Sequence, residues 1–434
     1  MNTQAEELNR ILNETNPVLT KVLSDKALSM YFPYAGILGQ SAGAKGKKYN
    51  ATIGIAVEDD KTPMRLGAID ELISLEAKES FPYAPSFGNP ELRKTWKDML
   101  ATKNPSLKGK SCSNPVVTQA LTHGLFLGGA LFLNPGEEIL IPDPYWDNYG
   151  LLFDESLGAK VKAFDCFNEK GGFNIVELKK VLSEREGKKV VLLLNFPNNP
   201  TGYTPLESEM KDIVAALTAS AEKGTQIVTL IDDAYFGLVY EEGVAKESIF
   251  ADLADAHENI LAVKIDGATK EDYVWGLRVG FMTFACKGVD DAGYKALADK
   301  TGGFIRGMIS NCSQLSQSLM LKAYTSDDYE SQKAQKFELM KSRYDVLKKA
   351  LSEHPEYSEE FTALPYNSGY FMCIQPKGDL DTEKVRLHLL DAYDTGIIAL
   401  GNLIRVAFSS APAETIPTIL DNVYKACKEI RQGA

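Results

Sequence analysis

Three strand ends in this chain carry residues that could do chemistry together. Lys270 follows an apolar run, Ile260–Asp266, that reads as a strand closing in a tight turn at Asp266 and Gly267. Arg278 comes eight residues later and opens a second apolar run, Val279 to Ala285. A lysine held between two buried strands loses solvation, which lowers its pKa and leaves a neutral amine able to attack an aldehyde. The arginine is then placed to bind a phosphate. The bland alternative is a solvated loop lysine beside Glu271 and Asp272. Two further stretches weigh against it. Val190–Gly202 is a continuous apolar strand, of the kind buried on both faces, that runs into a loop containing Asn199. Ile227–Tyr235 is another such strand, ending in Asp232, Asp233 and Tyr235.

The elements that must position these groups follow from a general rule. Ligands of an open parallel sheet bind beyond the carboxyl ends of its strands. Three strands in order then bring an asparagine, an aspartate with a tyrosine, and a lysine to one edge. The Asn-Pro-Thr-Gly, Asp-x-Ala-Tyr and Thr-Lys-(x)7-Arg motifs, in that order, resemble the class I/II aminotransferases, pyridoxal-phosphate enzymes of fold type I. The resemblance covers about Tyr83 to Phe408. It implies an α/β fold with two parts. Residues 61–315 would form a large cofactor domain, a mostly parallel central sheet sandwiched by helices. Residues 1–60 and 316–434 would join, from both chain ends, in a smaller α/β domain.

The whole chain is consistent with that size. Its 434 residues are long for one domain, so two lobes are the default expectation. Hydrophobic residues make up 44% and charged residues 24%, ordinary for a globular protein with a large core. A net charge of −12 and a pI near 5.1 argue against a nucleic-acid partner. The six cysteines are widely spaced without a Cys-x-x-Cys pair, and the four histidines show no metal-ligand spacing, so no metal is expected. Buried free thiols fit a reducing compartment. No apolar run approaches the ~20 residues of a membrane span, and the amino terminus lacks the pattern of a signal peptide. A cytoplasmic protein is expected.

Residue by residue, the resemblance assigns roles. Lys270 would hold pyridoxal 5′-phosphate as a Schiff base and then move the substrate proton. Asp232 would pair with the pyridine nitrogen. Asp233 competes on composition, but strand alternation puts the two side chains on opposite faces. Asn199 and Tyr235 would hydrogen-bond the cofactor's phenolate oxygen, and Trp146, after the turn that closes Glu138–Asp143, would stack on its ring. Ala120, Leu121 and Thr122, at the start of an apolar helix, occupy the phosphate cup, where free N–H groups and the helix dipole favour an anion. Thr122 is the main hydroxyl there, unless it is a plain helix cap. Arg278 would clamp the phosphate. Gly267 stands where the family often has serine, so one phosphate contact is missing unless Thr269 replaces it.

Arg405, an isolated charge in an apolar strand, matches the arginine that binds the substrate α-carboxylate; a structural salt bridge is the alternative. Tyr83 and Arg306 match positions that act across the subunit interface, which implies a homodimer. Arg306-(x)3-Ser-Asn resembles the segment that meets the side-chain carboxylate of a dicarboxylic substrate, though Arg306 could equally be a surface or interface arginine. Small-molecule partners would be an amino acid and a 2-oxo acid such as 2-oxoglutarate. A lyase of the same fold, cleaving C–S bonds or decarboxylating, is the alternative enzyme, and a non-catalytic regulator the third reading. Elsewhere, Gly36–Lys48 reads as a Gly/Ala/Lys-rich loop, and Gln314 to about Ala350 as one long helix.

Overall fold

The structure is a computed structural model that describes residues 2–31, 36–70 and 75–433. Its centre is a seven-stranded sheet with β1 (Val116–Gln119), β2 (Glu138–Asp143), β3 (Lys160–Asp165), β4 (Lys189–Asn195), β5 (Gln226–Asp232), β6 (Ile260–Asp266) and β7 (Val279–Ala285). The spatial order is β1-β7-β6-β5-β4-β2-β3. All neighbours run parallel except β7, which is antiparallel to both β6 and β1. The mostly parallel sheet expected from the sequence is present. Residues Val190–Asn195 are buried throughout, as the unbroken apolar run requires. A four-stranded antiparallel sheet lies apart from it: β8 (Phe361–Ala363), β9 (Phe371–Pro376), β10 (Ile398–Leu400) and β11 (Leu403–Ala407), in the order β10-β11-β9-β8.

Eight helices build the site and its supports: α1 (Ile37–Gly43), α2 (Pro90–Lys103), α3 (Ala120–Phe132), α4 (Ala268–Glu271), α5 (Asp291–Met308), α6 (Gln314–Tyr324), α7 (Tyr329–Glu353) and α8 (Ile416–Arg431). α3 lies so close to the sheet that a Cβ on Gly124 would come within 2.7 Å of Ile265 Cγ2. Its apolar sequence reflects burial on most sides. α7 packs against α8 and against the segment after β11.

Two expectations change. Gly36–Lys48 is not all loop, because residues 37–43 form α1. Tertiary pairing overrides its weak propensity: the Gln40 amide bonds both backbone groups of Ala399, as donor at 2.9 Å and acceptor at 2.8 Å. The helix expected from Gln314 to about Ala350 is two helices, broken at Thr325–Asp328. There Thr325 turns its hydroxyl back onto Leu321 O, and Tyr329 is drawn inward to Asp272.

Candidate active site

The carboxyl ends of β4, β5 and β6 stand level, since Asn195 is in register with Asp232, and Asp232 with Ile265. Asn195 donates from its amide to Asp232 O at 2.8 Å, and its own Oδ1 receives Asn199 N–H at 2.8 Å, so the β4 loop is tied to the β5 end. Beyond these ends lies a cavity of about 250 Å³. Lys270, Asp232, Tyr235, Asn199, Trp146, Leu121, Thr122 and Arg405 all face it.

Lys270 is carried by α4, a single helical turn where the sequence suggested only a tight turn. Its ammonium lies 5.0 Å from the centre of the Tyr235 ring, and Tyr370 holds its carbonyl through a 3.0 Å hydrogen bond. Burial, only partly opposed by Asp232 and reinforced by Arg278, brings the amine down to about 8. Asp232 is buried and accepts from Tyr149 OH at 2.6 Å and from Ala234 N–H at 3.2 Å. Burial raises its carboxyl, while the Tyr149 hydrogen bond and the Lys270 charge draw it back.

Asp233 points to the other face, as alternation requires, and is spoken for. It binds Lys264 and Ser248. Arg405 sits in the middle of β11, opposite Cys373 and Ile398, with its guanidinium 4.3 Å from the centre of the Phe371 ring. It donates to Asn199 Oδ1 at 3.1 Å and to Thr52 O at 3.0 Å, but its Nε–H is buried with no partner. Among the described residues no carboxylate is in salt-bridge contact with it, and the acid whose charge it feels is Asp147.

The remaining predicted groups are displaced from the cavity surface. Ala120 is buried at φ +59°, turning the chain into the amino end of α3, where its neighbours Leu121 and Thr122 reach the cavity. Gln119 N–H is taken by His123 Nδ1 at 3.0 Å. Thr269 is buried with its hydroxyl unpartnered. A side chain at Gly267 is excluded, since its Cβ would lie 2.6 Å from Gly280 Cα and from Val279 O. Arg278 is half-buried, adopts φ +56°, and donates to Trp275 O at 3.2 Å without lining the cavity. Tyr83 is 90% exposed, and Arg306 lies exposed on α5 against Ser310; neither faces this cavity.

Several lining residues escaped the sequence reading. Tyr149 follows Trp146 by three residues, a spacing that places the two on one side of a turn, and their rings meet edge to face at 5.5 Å. Ile37, Leu38 and Ser41 come from α1, and Phe371 from β9. Their signal was weak because α1 itself was read as loop.

Comparison with known proteins bears on the family and the fold. A family profile described as aminotransferase class I and II matches residues 59–423. The aspartate aminotransferase of Sulfurisphaera tokodaii is 28% identical over 202 residues, 46% of this chain and 47% of that protein. A probable aspartate/prephenate aminotransferase of Aquifex aeolicus is 32% identical over 201 residues, 46% of this chain and 48% of its own length. The chain thus spans about half the length of the curated relatives it matches. The crystal structure of an aminotransferase from Anaerococcus prevotii shares the fold with a TM-score of 0.82 at 22% identity, covering 93% of this chain and 98% of that one. With the profile spanning most of its length, this chain belongs to the class I and II aminotransferase family.

Proposed function

We propose that the protein is a pyridoxal 5′-phosphate-dependent aminotransferase that moves an amino group between an amino acid and a 2-oxo acid such as 2-oxoglutarate. The observation that carries this reading is the meeting of Lys270, Asp232 and Arg405 around one cavity. The residues present suit the cofactor. An amine drawn down to about 8 suits an aldehyde carbon. The amino end of α3 with Thr122, the unpartnered Thr269 hydroxyl and the nearby Arg278 suit a phosphate. Trp146 offers a ring face, and Asp232 a buried acceptor for the ring nitrogen.

When bound, the cofactor supplies an electron sink for the pair left as the substrate's α C–H bond breaks. The protein does the rest. Lys270 Nζ would hold the cofactor, and its neutral amine would take the α-proton and return it. Tyr149, by donating to Asp232, favours the charged carboxylate against the upward pull of burial, and that carboxylate would face the ring nitrogen. Arg405 pairs with the substrate carboxylate through its free Nε–H, which resolves the cost of a buried unpaired cation. Asn199 binds Arg405 and fixes its plane.

The proposed lobes are 61–315, the part holding the seven-stranded sheet, and 1–60 with 316–434. A homodimer is supported by Phe81 (85% exposed), Tyr83, Phe304, Met308 and Leu315, large apolar side chains left in solvent. The segments carrying them are in contact, because Ser86 bonds Ser310 O, and Gln314 and Ser318 bond Glu79 O. Tyr83 and Arg306 lie on this face and would reach the neighbour's cavity. The six buried free thiols favour a cytoplasmic setting. Among the described residues, no helix is long and apolar enough to cross a membrane.

The relatives' names speak for transamination over lyase chemistry. Amino transfer to 2-oxoglutarate, screened across amino donors, tests it directly; release of ammonia or carbon dioxide without transfer would overturn it. Arg306→Leu should cost roughly 2–4 kcal/mol in kcat/KM for a dicarboxylic substrate and much less for an aromatic one. Equal losses would remove Arg306 from the substrate site.

A further inference from the structure

The two residues after Lys270 are acids, which in a loop would be solvated. Both are buried instead: Glu271 is 5% exposed and Asp272 0%. Lone carboxylates there would cost several kcal/mol each, so their partners hold the reason for their position. Glu271 is bound by Lys103 at the end of α2 and by Lys333 of α7, the latter at 2.6 Å. Asp272 accepts Tyr324 OH at 2.8 Å and Tyr329 OH at 2.6 Å, with Lys333 Nζ 3.4 Å away.

The pairing continues on the other side of Lys270. The Lys103 ammonium stands 4.7 Å from the centre of the Trp96 ring, and the Trp96 N–H donates to Asp266 at 3.1 Å. Asp266 lies 3.1 Å from Lys264, which binds Asp233. One connected set of charges therefore flanks the α4 turn before and after the lysine. α7 extends its reach. Arg343 of that helix donates to Ser409 O at 2.7 Å, four residues past Arg405, and Lys336 meets Glu58 at 2.6 Å.

We propose that Glu271 and Asp272, held by Lys103 and Lys333, are positioning residues: their paired charges lock α4 and, through α7, tie the placement of the Lys270 amine to the segment that carries Arg405. The proposal rests on Lys270 being the cofactor-binding lysine. The groups that face Lys270 otherwise are Asp232, Arg278 and the Tyr235 ring, with Tyr370 on its carbonyl.

The test uses the cofactor-free protein. Lys270 is labelled competitively with acetic anhydride across pH and quantified by peptide mass spectrometry. Removing a cation in Lys333→Met should shift its midpoint upward by about half a unit or more, because Glu271 and Asp272 are left in excess. Glu271→Gln should shift it downward, and Lys333→Arg should restore it. The double variant Glu271→Gln/Lys333→Met, which removes both charges, should return the midpoint to near the parent while pyridoxal phosphate affinity stays reduced, because the tie to α7 is still missing; it covers the event that Lys333→Met does not fold. Pyridoxal phosphate affinity, by fluorescence titration, should fall in Lys333→Met. Loss of thermal stability with the Lys270 midpoint unmoved in both single variants would overturn the proposal. Failure of the underlying reading is separate: borohydride reduction of the parent holoprotein would then fix the cofactor on a different lysine.

Discussion

Lys264 and Lys270 leave the same strand end six residues apart, yet they meet opposite surroundings. Lys264 is completely buried on the side of the sheet away from the cavity, between Asp233 and Asp266. Burial alone would drive its amine down, but the two carboxylates hold it above the usual lysine value, a locked ammonium. Lys270 faces the cavity with an aromatic ring beside it, no carboxylate in salt-bridge contact among the described residues, and an amine drawn down to about 8. Asp232 and Asp233 repeat the contrast one strand over. One is poised by a tyrosine hydroxyl, the other neutralised by a lysine. The lesson is that pairing decides whether a buried ionisable group is structural or reactive.

The sharpest break of this comparison exchanges the two aspartates. Asp232→Ala should lower kcat for transamination by about 10³-fold while the cofactor remains bound. Asp233→Ala should retain most activity per folded molecule but cost about 3–5 kcal/mol of stability, since Lys264 loses its nearer counter-ion. Steady-state kinetics with chemical denaturation reads both. An inactive, stable Asp233→Ala beside an active Asp232→Ala would reverse the assignment.

The lysines differ in the sign of their pH linkage. In the cofactor-free protein Lys270 has a folded value of about 8 against 10.5 for an ordinary lysine side chain. Between those values the unfolded chain binds more protons, so stability rises with pH across that window, by at most about 3 kcal/mol. Below pH 8 the contribution is flat. Denaturation of the parent against Lys270→Met from pH 7 to 10.5 should show the difference, because the variant lacks this rise. An equal slope in both proteins would contradict the depressed amine.

A smaller effect tests the poise of Asp232. Tyr149→Phe removes one hydrogen bond to a charged group and should lower kcat about 10-fold with little change in fold stability. A fall of 10³-fold would mean that the hydroxyl itself acts on the substrate.

Much of this architecture was legible. The apolar strands ending in Asn195, Asp232 and Asp266 announced a buried parallel sheet, and the alternation rule separated Asp232 from Asp233. What stayed hidden depends on contacts between distant segments. Lys264 reads as a lone charge inside Ile260–Ile265 until Asp233 is brought beside it by β5. Glu271 and Asp272 look solvated until α2, α6 and α7 close over them. The α1 helix needs Gln40 to reach across 359 residues to Ala399.

The central claim is that Lys270, and not its buried neighbour, bears the cofactor. Borohydride reduction of the holoprotein followed by peptide mapping measures it directly. The pyridoxyl group should be found on Lys270 alone, with Lys264 unmodified. Its recovery on Lys264, or on any other lysine with Lys270 free, would contradict the account.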